Sequence, residues 1–141
     1  MFAYYIWYFQ EKAMQQLRFD REEIVWQEVP GEVSLAFLCS GCPLRCQGCH
    51  SSGSWKAGRG TVLSEDYLRG RLQQYRGLIS CVLFMGGEWH CALLEGMLRI
   101  AREEGLSTCL YTGLERDELD KTLLPHLTYL KTGRWLPERG G

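Results

Sequence analysis

Four cysteines, Cys39, Cys42, Cys46 and Cys49, fall within eleven residues, in the segment Cys39-Ser40-Gly41-Cys42-Pro43-Leu44-Arg45-Cys46-Gln47-Gly48-Cys49-His50. Thiolates two or three residues apart on a tight loop can converge on one metal centre. Gly41 and Gly48 let the backbone turn sharply and aim amide N–H groups at the sulfurs. Two metal chemistries fit this spacing. All four cysteines can close a tetrahedral zinc site, which would make the chain a zinc-bound interaction module with an inert centre. Alternatively Cys42, Cys46 and Cys49 hold a 4Fe–4S cluster, and three thiolates for four irons leave one iron with an open position for a substrate or cofactor. A second candidate is Gly86-Gly87-Glu88. The glycines permit close backbone approach, and Glu88 can accept a charge-assisted hydrogen bond from an ammonium group. Arg45 reads as a solvated side chain, and His90 and His126 lack ligand spacing.

The remaining cysteines, Cys81, Cys91 and Cys109, stand singly in apolar segments and read as small buried hydrophobes. Seven cysteines are an odd number, which argues against a closed disulfide framework. The aromatic run from Phe2 to Phe9 has no basic residue before it and no small-residue cleavage site after it, so it is not a secretory signal. The thiols therefore point to a reducing, cytoplasmic setting. With 141 residues, 45% of them apolar, the chain is expected to be one domain with a real core. A net charge of −1 argues against nucleic-acid binding, and no apolar run approaches the length of a membrane span. Residues 1–13 follow neither strand nor helix periodicity. They are expected to lie outside the core, with Met14 as an alternative start.

These residues need elements to position them. Ile24–Val29 reads as a strand ended by Pro30-Gly31, and Val33–Leu38 as a second strand leading straight into the cysteine segment. Residues 51–61 read as loop. Ser64 caps a helix with Leu68, Leu72 and Tyr75 on one face. Cys81–Met85 is a continuous apolar strand. Ala92–Glu104 is an amphipathic helix with Leu93, Leu94, Met97, Leu98 and Ala101 facing inward, stopped by Gly105. Leu106–Tyr111 reads as a strand, Glu115–Leu124 as a helix ended by Pro125, and Leu127–Lys131 as a last strand. Near-continuous apolar strands alternating with helices predict an α/β fold with a helix-covered parallel sheet. Ligands of such sheets sit beyond the carboxyl ends of the strands. Cys39–His50, Gly86–His90 and Thr112-Gly113 each directly follow a strand, so the rule brings all three to one site.

Cys42-x3-Cys46-x2-Cys49 after a strand, followed one βα unit later by Gly86-Gly87-Glu88, resembles the radical S-adenosylmethionine enzymes. Over roughly residues 20–140, the order of units and the segments Cys49-His50-Ser51-Ser52, Tyr111-Thr112-Gly113 and Leu130-Lys131-Thr132-Gly133 are similar to the small activating proteins of anaerobic ribonucleotide reductase. The resemblance implies a shortened, partial (β/α) parallel barrel. It implies a 4Fe–4S cluster on Cys42, Cys46 and Cys49, whose open iron chelates the amino and carboxylate groups of S-adenosylmethionine. Gly86, Gly87 and Glu88 would then contact the methionine amino group, and Gly48, His50 and Thr112 would complete the cofactor site. Gly48 stands where the broad superfamily often has an aromatic residue, as in the small activases, and His50 is expected to take the place near the adenosine. Cys39 is expected to be a shielded thiol rather than a ligand.

By the same resemblance, reductive cleavage of S-adenosylmethionine gives a 5′-deoxyadenosyl radical. This radical takes a hydrogen atom from a glycine of the large reductase subunit. The implied partners are that subunit and a flavodoxin- or ferredoxin-type electron donor, with Trp55, Trp89 and Trp135 as candidate interface residues or as partly buried core aromatics. Other members of the superfamily stay open, namely a formate-lyase-type activase or a small-molecule synthase. The chain is short and has no second cysteine cluster, which argues against the formate-lyase type. It ends at Gly141, where a further strand or partner-binding tail is expected by comparison.

Overall fold

The computed structural model describes residues 16–40 and 60–133. Strand β1 (Arg18–Val25) runs antiparallel to β2 (Ser34–Cys39) through a turn in which the Glu32 N–H donates to the Val29 carbonyl at 3.0 Å. Pro30-Gly31 forms that turn, with Gly31 at positive φ, as the sequence predicts. The short β3 (Thr61–Val62) pairs with the other edge of β1. Then follow α1 (Glu65–Gln74), β4 (Cys81–Met85), α2 (Cys91–Glu103), β5 (Ser107–Tyr111) and β6 (Tyr129–Lys131). The result is one six-stranded mixed sheet in the order β3-β1-β2-β4-β5-β6, and it does not close on itself.

Local chemistry explains the helices. Ser64 Oγ accepts from the Tyr67 N–H at 3.0 Å, and Glu65 and Asp66 lie in the first turn of α1, where the positive end of the helix favours them. At the end of α2, the Gly105 N–H donates to the Arg102 carbonyl at 3.0 Å and the Leu106 N–H to the Ala101 carbonyl at 3.1 Å, closing a Schellman motif. Both helices pack on one side of the sheet. Leu68 and Leu72 of α1 and Leu94, Met97, Leu98 and Ala101 of α2 form one core with Leu35, Phe37, Val82, Phe84 and Leu110 from the strands. The parallel strands β2, β4, β5 and β6 follow in chain order without reversal, so right-handed crossovers put both described α-helices on the same face.

The opposite face carries no helix among the described residues. Ala36, Cys81, Leu83 and Cys109 form a smaller core there. Val29, from the connection between β1 and β2, packs onto it, and the Tyr111 hydroxyl donates to the Glu28 carbonyl of the same connection.

Four expectations are corrected. The first strand is Arg18–Val25 rather than Ile24–Val29, and it is antiparallel. Its run of charged residues hides it, because a strand near a sheet edge tolerates them. Glu115–Leu124 is not an α-helix. It forms two short 3₁₀ segments, Arg116–Glu118 and Lys121–His126. Asp120 caps the second by accepting from the Thr122 N–H, and Pro125 inside it has no N–H to continue an α-helical ladder. Leu93 is 40% exposed rather than inward-facing, whereas Leu94 beside it is fully buried. The last strand begins at Tyr129 rather than Leu127.

Candidate functional site

Leu38, Met85, Tyr111 and Lys131 lie in register across the four parallel strands, near or at their carboxyl ends. The connections after Cys39, Met85, Tyr111 and Lys131 therefore leave from one edge of the sheet. Backbone pairing continues just past the strands. The Ser40 N–H donates to the Arg18 carbonyl at 2.9 Å, Gly86 to Tyr111 at 2.8 Å, and Thr112 to Lys131 at 2.9 Å. The sequence rule that gathers Cys39–His50, Gly86–His90 and Thr112-Gly113 at one edge holds for the described parts of all three. Cys42, Cys46, Gly48, Cys49 and His50 lie outside the described residues, as do Trp55 and Trp135. Among the described residues, no three His, Cys, Asp or Glu side chains are grouped to hold a metal.

The Gly86-Gly87-Glu88 turn is built tightly. Both glycines have positive φ, at 88° and 99°. A Cβ on Gly86 would lie 2.6 Å from Cη2 of the Trp89 ring, and one on Gly87 would lie 3.1 Å from Cys39 Sγ and 3.2 Å from Leu17 Cδ1. The turn thus rests on Cys39 below and carries the Trp89 indole against its first glycine. This contact is the core role open to Trp89 in the sequence. Glu88 then opens a 3₁₀ turn, Glu88–His90, that runs directly into α2.

Glu88 is only 9% exposed. Its Oε1 accepts a hydrogen bond from Thr112 Oγ1 at 2.7 Å, while Oε2 is buried with no partner among the described residues. Burial pushes the Glu88 carboxyl above the usual carboxylate range, and the hydrogen bonds from Thr112 and from its own backbone N–H pull the other way. A buried carboxylate with one oxygen held and one oxygen free is a receptor for a cationic donor.

Cys39 is fully enclosed in the helix-side core. Burial, with the Glu88 charge adding to it, raises its thiol far above the ordinary range. A thiol held protonated is a poor metal ligand, because metals bind the thiolate. Burial also raises Cys81 to about 11 and Cys109 to about 12, in keeping with their reading as small core residues, while Cys91 is half-buried.

The pairing of Glu88 with Thr112 is invisible in the sequence as a pair, since 24 residues separate them. Lys131 enters the sequence reading only as part of the Leu130-Lys131-Thr132-Gly133 segment, with no role of its own, yet its Nζ sits 5.1 Å from the centre of the Tyr111 ring. The shared signal was that Tyr111 and Lys131 are the terminal residues of neighbouring parallel strands.

A family profile described as a 4Fe-4S single cluster domain matches residues 29–136. The chain belongs to that family. The matched span runs from the turn between β1 and β2 to just beyond β6 and contains the whole Cys39–Cys49 segment. Membership indicates a 4Fe–4S cluster-binding domain and favours the iron reading of the cysteines over the zinc one. A search among curated proteins finds no significant match. No helix among the described residues is long and apolar enough to cross a membrane.

Proposed function

We propose that this protein is a radical S-adenosylmethionine enzyme that activates a glycyl-radical partner, with the large subunit of anaerobic ribonucleotide reductase as that partner. The observation that carries the reading is Glu88, a buried carboxylate with one unpaired oxygen, set on two positive-φ glycines at the sheet edge from which the cysteine segment departs. An amino group, whose N–H bonds donate and are polarised when its nitrogen is held by a metal, fits that oxygen in hydrogen-bonding need. The donor set Cys42, Cys46 and Cys49 suits a 4Fe–4S cluster with one iron free of protein ligand. The burial of Cys39 supports a three-thiolate assignment over a four-thiolate one.

When bound, the reduced cluster would supply one electron for cleavage of the sulfonium, giving methionine and the 5′-deoxyadenosyl radical that takes hydrogen from the partner glycine. The chain's own residues bind and orient. Glu88 receives the amino group of the methionine portion, Gly86 and Gly87 let the ligand approach the backbone, and the assignment of Gly48 and His50 to the adenosine side rests on the family resemblance of the cysteine segment. An open, six-stranded sheet suits a protein substrate that completes the enclosure of the site. A flavodoxin- or ferredoxin-type donor in a reducing cytoplasm is the matching electron source.

Anaerobic reconstitution followed by absorption and EPR spectroscopy tests the cluster. Dithionite-reduced protein incubated with S-adenosylmethionine should then release 5′-deoxyadenosine, and adding the reductase subunit should produce a glycyl EPR signal. A colourless protein holding one zinc defeats the reading. Cofactor cleavage without a glycyl signal keeps the superfamily and rejects the partner.

A further inference from the structure

We infer that Thr112 is a positioning residue that holds Glu88 as an ionised acceptor with its second oxygen free for an N–H of the ligand's amino group. This rests on the proposed use of S-adenosylmethionine. The argument begins with the single proton of a hydroxyl. Thr112 Oγ1 accepts from the Leu114 N–H at 3.1 Å, which fixes its lone pair, and its proton is then committed to Glu88 Oε1 at 2.7 Å. Thr112 is itself anchored, being 6% exposed with its N–H on the Lys131 carbonyl at 2.9 Å. The donor is thus pre-oriented from a different strand end than the one carrying its acceptor. A group that donates in this way favours the carboxylate over the carboxylic acid.

The effect matters because the surroundings of Glu88 oppose its charge. The Cys39 thiol from β2, which feels the Glu88 charge, is kept protonated by burial, and burial favours the neutral ring of His90 two residues along the same turn. Neither supplies a positive charge. Thr112 is the side chain that offsets the cost of the buried anion, and it occupies Oε1 while leaving Oε2 open.

The test is equilibrium dialysis of S-adenosylmethionine against the oxidised, cluster-loaded full chain across about pH 5 to 9, for wild type, Thr112→Val, Thr112→Ser and Glu88→Gln. Affinity should rise with pH as Glu88 ionises. In Thr112→Val the rise should move to higher pH, with binding weakened by roughly tenfold or more at the acidic end. Thr112→Ser should restore the wild-type curve. In the Glu88→Gln background, Thr112→Val should leave the pH dependence unchanged. A Thr112→Val curve that overlays wild type, or that is lowered equally at every pH, overturns the inference while leaving the proposed function standing. A wild-type chain that binds no S-adenosylmethionine overturns both.

Discussion

Gly86→Ala should destabilise the fold by about 2–5 kcal/mol, and the structure divides that cost into two parts. The first is backbone. At φ +88° an L-residue carries a left-handed penalty of about 1–2 kcal/mol. The second is overlap. The new Cβ would sit 2.6 Å from Cη2 and 3.1 Å from Cζ3 of Trp89, and overpacking of this kind costs about 1–3 kcal/mol. Gly77 supplies the control, because its φ is +86° and a Cβ there meets nothing within 4 Å. Gly77→Ala should therefore show the backbone part alone. Thermal unfolding of both variants reads the difference, at roughly 2–4 °C per kcal/mol for a chain of this size. Trp89→Leu should recover the overlap part when combined with Gly86→Ala, giving a favourable coupling of about 1–3 kcal/mol in a double-mutant cycle. If Gly86→Ala melts no lower than Gly77→Ala, the indole does not pack the turn, and the account of a tightly built Gly86-Gly87-Glu88 turn is wrong.

Three further outcomes follow from the site. Glu88→Gln should raise the melting temperature of the ligand-free protein at neutral pH. The folded carboxyl titrates above its ordinary 4.5, so its favourable contribution is present below that value and is lost as pH rises through the folded pKa. The advantage of the variant should accordingly shrink as pH falls from neutral towards 4.5 and level off below it, and a gap that stays constant over that fall would contradict the buried-anion account. Cys46→Ala should lose the cluster, measured as iron, sulfide and visible absorption after reconstitution, whereas Cys39→Ala should keep it; loss in Cys39→Ala would make Cys39 a ligand. Cys39, Cys81 and Cys109 should resist iodoacetamide at mildly alkaline pH in the native chain and react once it is unfolded, as read by mass spectrometry of labelled peptides.

The parts of the fold legible in the sequence are those in which one local signal dominates. Cys81–Met85 is an uninterrupted apolar run, and the structure gives β4 those same bounds. Ser64 followed by Glu65 and Asp66 marks the start of α1, and Gly105 marks the end of α2. Reading fails where tertiary context overrides the local pattern. Strand β1 is written largely in charged residues, since Glu22 can point to Arg71 and Tyr67 on α1 instead of into a core. The segment after Thr112-Gly113 has helical composition, but Asp120 and Pro125 break it into 3₁₀ turns. At the site, the convergence of strand ends was predictable from chain order. The bond between Thr112 and Glu88 was not, because it depends on the register of β4 against β5 and of β5 against β6.

The location of the site also follows from where the chain departs from local ease, independently of any family likeness. Over most of its described length, capping, helix termination and strand register agree with one another, as expected of a sequence that specifies one fold. Among the described residues, two of the five buried side-chain polar atoms without a partner, Glu88 Oε2 and Trp89 Nε1, belong to consecutive residues, while the others are spread over β1, β2 and α1. Immediately before them stand two successive positive-φ glycines, one packed under an indole and the other over a thiol. A buried carboxylate, an unpaired donor and a constrained turn each cost stability, and the same edge of the sheet carries all three. Such concentrations persist where a ligand or a partner supplies the missing interactions. The cysteine segment follows β2 at that same edge, beside the strained turn that follows β4 in parallel register, which is the placement the proposed site requires.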